Sequence, residues 1–159
     1  MLSLAALAGL VLAFPTAGCS KGGKHPPDAT LLKTFQDERV KFEKLSVMLK
    51  ADAGLRSVGY RSTDPDPAPI NAKRLSAYRQ MLAGLGCGPG LRRDDDNVYL
   101  LASEAGLTAM PSSKGFCYSS KAPTPLVDSL DPYNAAKKAE TAYRKIEGNW
   151  YLYVWRGKL

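Results

Sequence analysis

One stretch near the C-terminus constrains the fold more than any other. Residues 149–156 read NWYLYVWR. Successive side chains of an extended chain point to opposite sides. Trp150, Leu152 and Val154 therefore share one side, and Tyr151, Tyr153 and Trp155 the other. A strand with one solvated face alternates apolar and polar residues, whereas this one is apolar on both sides. Two arrangements satisfy it. Either the strand is central and covered on both faces, or its aromatic side is a binding surface for a protein, peptide or glycan. Tyr and Trp suit such a surface because each presents flat apolar area with a polar tip. Residues 141–147 lead into the stretch across Gly148-Asn149, which reads as a hairpin turn. On the second arrangement the expected contact residues are Tyr143, Arg144, Tyr151, Tyr153, Trp155 and Arg156.

The rest of the chain is read as elements able to cover such a strand. Leu31, Phe35, Phe42, Leu45 and Leu49 recur at helical spacing, with charged residues on the other faces. They predict one long amphipathic helix over 30–53, capped by Asp28 or Thr30. A short strand is expected at 55–61. The prolines at 65, 67 and 69 exclude a helix there and make a stiff surface loop. Asn71 caps a second helix with Leu75, Tyr78, Leu82 and Leu85 as its stripe and Gly86 as its stop. Residues 97–103 and 114–119 read as strands, and 134–141 as a short helix. The fold class is α+β: two N-terminal helices packed on a mostly antiparallel sheet of about four or five strands.

The N-terminus predicts an address. Residues 2–14 form an uncharged apolar run that would span roughly 20 Å as a helix, short of a ~30 Å bilayer core. That length suits the apolar region of a secretory signal. After Pro15 comes Thr16-Ala17-Gly18-Cys19, small residues directly before a cysteine. This resembles the lipobox of bacterial lipoproteins. The resemblance implies cleavage before Cys19 and lipidation of its thiol, which would hold the protein to a membrane with a nearly permanent anchor. Ser20 in the next position implies the outer membrane, facing the periplasm. Residues 1–18 are then a signal peptide, 19–29 a lipidated cysteine and flexible tether, and 30–159 one α+β domain. His25, the single histidine, falls in the expected tether, so no catalytic or metal role is expected of it. A second similarity covers 114–119, 125–131 and 143–153, which resemble a pattern in small bacterial proteins of unassigned activity. It brings no function with it.

An exported chain meets an oxidising compartment. With Cys19 lipidated, Cys87 and Cys117 suit one disulfide; two buried free thiols are the alternative. The net charge is +7, which in a cytosolic protein would suggest nucleic acid. Outside the cytoplasm the fitting partners are anionic headgroups or an acidic protein, so no nucleic acid is expected. Asp94-Asp95-Asp96 lacks the spacing of a calcium loop and reads as a solvated turn. No P-loop, dinucleotide fingerprint or Ser-His-Asp arrangement is present. The chain is therefore expected to be no enzyme and to need no metal or cofactor. The function expected is a bacterial envelope lipoprotein with a small non-catalytic binding domain. Its alternatives are an immunity protein neutralising a secreted toxin and, last, a cell-wall glycan hydrolase, since paired carboxylates leave no short motif.

Overall fold

The structure, a computed structural model, describes residues 25–106, 111–135 and 140–157. Three helices, α1 (Asp28–Asp37), α2 (Arg39–Ala51) and α3 (Ala72–Gly84), accompany seven strands. The strands are β1 (Ser57–Val58), β2 (Thr63–Asp64), β3 (Gly90–Arg93), β4 (Asn97–Ala105), β5 (Ser112–Ser119), β6 (Glu140–Glu147) and β7 (Trp150–Arg156). They form one sheet in the order β2-β1-β3-β4-β5-β7-β6, antiparallel at every pairing. The α+β class holds, with more strands than the four or five expected.

The helices lie on one face of the sheet. Phe42 packs on Phe116 and Trp150 with ring centroids 4.7 and 5.0 Å apart, and Phe35 reaches Trp150 at 6.0 Å. Leu45, Leu49, Leu100 and Leu152 join them with almost no exposure. Each such side chain contributes about 1.5–3 kcal/mol on burial.

The single helix expected over 30–53 is two. Glu38 leaves helical geometry at φ −112° and ψ 20°. In a straight helix Phe35 and Phe42 would stand roughly 10 Å apart along the axis. The break brings their rings to 4.7 Å, so both fill one pocket above Trp150. Neither Asp28 nor Thr30 caps the helix: Pro27 occupies the cap and Asp28 opens α1. Asn71 does cap α3, its side chain accepting from the Arg74 N–H. Gly86 follows α3 at φ 70°, and Gly148 turns the β6–β7 hairpin at φ 50°.

Strand β3 was not expected. Gly88-Pro89-Gly90 and the Arg92-Arg93 pair hide its short apolar content, and it is recruited by pairing with β1 and β4. The strand expected at 55–61 shrinks to Ser57–Val58, paired with β2. The prolines that follow β2 cannot donate to a further ladder, which ends the sheet there. Of the helix expected at 134–141, residues 136–139 lie outside the described residues; a 3-10 helix covers Asp131–Ala135 before them and β6 begins at Glu140 after them.

The expected tether of 19–29 is also shorter. Its first part lies outside the described residues, as do Cys19 and the signal region. From His25 onward the chain is packed: His25 and Asp28 are both buried.

Candidate functional site

Strand β7 is central, lying between β5 and β6, and this decides the fate of most expected contact residues. Tyr143, Tyr151 and Tyr153 are buried, so the expectation that they form an open surface is corrected. They do cluster, with Tyr99 and Cys117, on the face opposite the helices. The Tyr99 and Tyr143 hydroxyls meet at 3.1 Å, although β5 and β7 separate their strands by about 14 Å of sheet. Cys117, in register between Tyr99 and Tyr151, is sealed beneath. Burial raises the Tyr99, Tyr143 and Tyr153 phenols above their ordinary range. Arg144 and Arg156 are also not free contact groups. Arg144 holds Asp28 at 3.0 Å, and Arg156 donates to the Tyr133 carbonyl at 3.3 Å.

Trp155 is the exception among the aromatics. It is half-buried and lines an open groove of about 630 Å³ with Arg92, Leu101, Glu104, Ser113 and Tyr153. The exposed Arg92 guanidinium lies 5.8 Å from the Tyr99 ring and 6.0 Å from the Trp155 ring. Register explains the grouping. Trp155 opposes Ser113 on β5, and Arg92 opposes Tyr99 on β4, so all four side chains belong to the tyrosine face. A flat apolar surface beside a cation suits an anionic or planar group. Arg92, Leu101 and Glu104 were not singled out in the sequence. Arg92 was visible only as half of a basic pair.

A second cluster is ionic and internal. Lys114, fully buried on β5, reaches Asp28 at 2.8 Å and Asp131 at 3.0 Å. The other Asp28 oxygen accepts from the Leu130 N–H at 2.7 Å and from Arg144 at 3.0 Å. Burial pushes the Asp28 carboxyl up, but the bonds from Lys114 and Leu130 outweigh it and hold the group below its ordinary range.

His25 sits beside this cluster. Its Nδ1 lies 2.7 Å from the Ser103 hydroxyl and its Nε2 2.9 Å from that of Ser112. Burial, then the charges of Lys114 and Arg156, lower its pKa to about 4. Asp28, Asp131 and Arg144 complete the charged surroundings through their contacts with Lys114 and one another. The unfolded imidazole titrates near 6.5, so between that pH and about 4 the unfolded chain binds the extra proton. His25 therefore contributes full stability above pH 6.5 and loses it as pH falls, by up to about 3 kcal/mol. Urea unfolding from pH 7.5 to 4.5 should show this decline, and a His25→Gln protein should be flatter over the same range.

Cys87 and Cys117 are free and buried, so the expected disulfide is absent. They belong to different packing clusters, Cys87 under the helices and Cys117 under the tyrosines. Burial pushes both thiols up to about 12. Native protein should resist a thiol reagent at pH 8. Denatured without reductant, it should expose both, and a result showing neither would restore the disulfide.

The Asp94 turn is a turn: its Oδ1 accepts from the N–H groups of Asp96 and Asn97. Among the described residues no group of three or more His, Cys, Asp or Glu is placed to hold a metal ion. No protein-family model, no curated protein and no solved structure matches this chain.

Proposed function

We propose that this protein is a bacterial envelope lipoprotein, anchored through Cys19, whose domain binds rather than catalyses. The observation that carries the binding half is Trp155, left half-buried beside the exposed Arg92 on a face whose tyrosines are otherwise sealed. An aromatic kept at the edge of a finished core, with a guanidinium 6.0 Å from its ring, is built for contact.

Among the described residues the Ser112–His25 pair comes nearest to a nucleophile and its base. It is a poor one. A carboxylate would stabilise the imidazolium that forms during proton abstraction, but here Nδ1 meets the Ser103 hydroxyl. Lys114 and Arg156 oppose that charge. The geometry therefore favours a structural histidine.

A photo-crosslinking residue placed at position 155 in cells should give discrete envelope adducts, and the same residue at the exposed Val47 should not. Identical patterns at both positions would defeat the site. Release of soluble fragments from purified cell wall, abolished by Glu104→Gln, would defeat the non-catalytic reading.

A further inference from the structure

We infer that the groove beside Trp155 takes a neutral glycan, with one pyranose ring lying on the indole and its hydroxyls held between Arg92 and Glu104. The inference rests on the binding surface proposed above and deepens it by naming the ligand class. It does not depend on the anchor.

The first step is the platform. Glu104 on β4 opposes Ser113 on β5, and Ser113 opposes Trp155 on β7. The three form one row across the sheet, so Glu104 and Trp155 stand about 10 Å apart at the backbone. Arg92 enters from β3 and brings its guanidinium to 6.0 Å from the indole. The indole is propped from behind: a Cβ at Gly157 would come within 2.6 Å of two of its ring carbons. The Gly157 N–H donates to the Pro111 carbonyl at 2.9 Å, which ties that backing to the chain entering β5. The ring is held in place before a ligand arrives, so little freedom is lost on contact.

The second step is charge. Arg92 and Glu104 are both exposed. Among the described residues neither side chain is engaged in a hydrogen bond or ion pair, and Arg92 faces the Tyr99 and Trp155 rings. The described lining of the groove carries one guanidinium and one carboxylate. Its charges cancel, so an anionic ligand gains no net attraction. A sugar uses both groups, because each hydroxyl donates and accepts. It donates to Glu104 and accepts from Arg92, and bonds to charged groups are the stronger kind. The C–H side of the same ring lies on the indole, whose face is electronegative.

The third step is position in the sheet. The groove lies over β3, β4, β5 and β7, inside the edges formed by β2 and β6. Each of those four strands is paired on both sides. A bound peptide draws affinity from an open strand edge, and none faces the groove. A glycan needs no such ladder.

The test titrates the purified chain with chitotetraose and with maltotetraose, one extended and one coiled, and follows tryptophan emission. Trp150 is buried, so the response reports Trp155. A saturable shift with either sugar supports the inference, and Trp155→Phe should lose it. Arg92→Gln and Glu104→Gln should each weaken binding about tenfold, the loss of one bond to a charged group. Both side chains are exposed, so the unfolding temperature should not move. Binding of neither sugar would overturn the inference, and so would binding that both variants leave unchanged. The crosslinking residue at position 155 separates this failure from failure of the surface itself. Adducts from cells whose tryptic peptide gains whole sugar masses support the glycan. A second peptide joined there would overturn the glycan and leave the surface standing. No adduct together with no bound sugar would end both.

Discussion

Asp28→Ala is expected to destabilise the domain by about 3–5 kcal/mol, the effect of leaving a buried charge without its partner. Lys114 has no exposure, and Asp28 is its buried counter-charge at 2.8 Å. The substitution also strips the acceptor from the Leu130 N–H and from Arg144. Asp131 stays within 3.0 Å of Lys114, but it is half exposed and its attraction is weakened by water. The double substitution Asp28→Ala with Lys114→Met should recover part of the loss, since it removes the orphaned ammonium together with its partner. Urea unfolding of the two single variants and the double supplies the cycle. Costs that simply add would show that the pair is not coupled. Because Asp28 and His25 fix the chain between the sheet and whatever precedes it, the same variant should also free His25 to titrate closer to 6.5.

This ionic cluster marks where the sequence stopped being legible. The period-two pattern of Trp150 to Trp155 allowed either cover on both sides or an open aromatic face, and β7 has the cover as far as Val154. Asn71, Gly86 and Gly148 each act through local geometry, so each could be read from its neighbours. Lys114 could not. In KGFCYS it looks like the solvated start of a strand, and its partner Asp28 looks like a helix cap. Their meeting depends on β5 being interior and on α1 starting over it, which is tertiary information. A charged residue opening a strand followed by Gly, Phe and Cys was the one available hint, since a lysine buried there demands a carboxylate. His25 is hidden for the same reason: glycines and prolines around it suggest a tether, and the serines that hold it lie far along the chain. Pairing Cys87 with Cys117 follows only from their number in an oxidising compartment. Counting carries no geometry, and the sheet places the two in separate clusters. The pattern named the aromatic cluster and left a sealed strand and an open surface side by side, because which neighbours flank β7 is tertiary information. Of the expected contact aromatics, Trp155 at the edge keeps part of the exposure that the second arrangement expected.

Gly115→Ala should be among the most damaging single-methyl changes available, costing about 4 kcal/mol or more, a size reserved for core or backbone disruption. Gly115 lies mid-β5, paired with Leu101 and Tyr153. A Cβ there would stand 2.0 Å from the Leu100 carbonyl oxygen and 2.8 Å from the Ala102 nitrogen. Both are backbone atoms of a paired strand, so no side-chain rotation relieves the clash. The crowding comes from the bulge in β4 between Leu101 and Ser103. A bulge sets two successive residues against one partner and turns the strand. Leu101 packs with the tyrosines and Ala102 with the helix-side core. Simple alternation would return Ser103 to the tyrosine side, yet it opposes Lys114 and bonds His25. The glycine thus gives the bulge room, and the bulge delivers the hydroxyl that docks the N-terminal chain. Gly88, with no atom within 4 Å of its would-be Cβ, is the control: Gly88→Ala should change stability by no more than about 1 kcal/mol. If Gly115→Ala protein survives in a stabilising osmolyte, its His25 ring protons should titrate well above 4, toward 6.5, as Ser103 swings away. A variant as stable as the control, with His25 still titrating near 4, would show that β4 accommodates the methyl and that the bulge does not depend on Gly115.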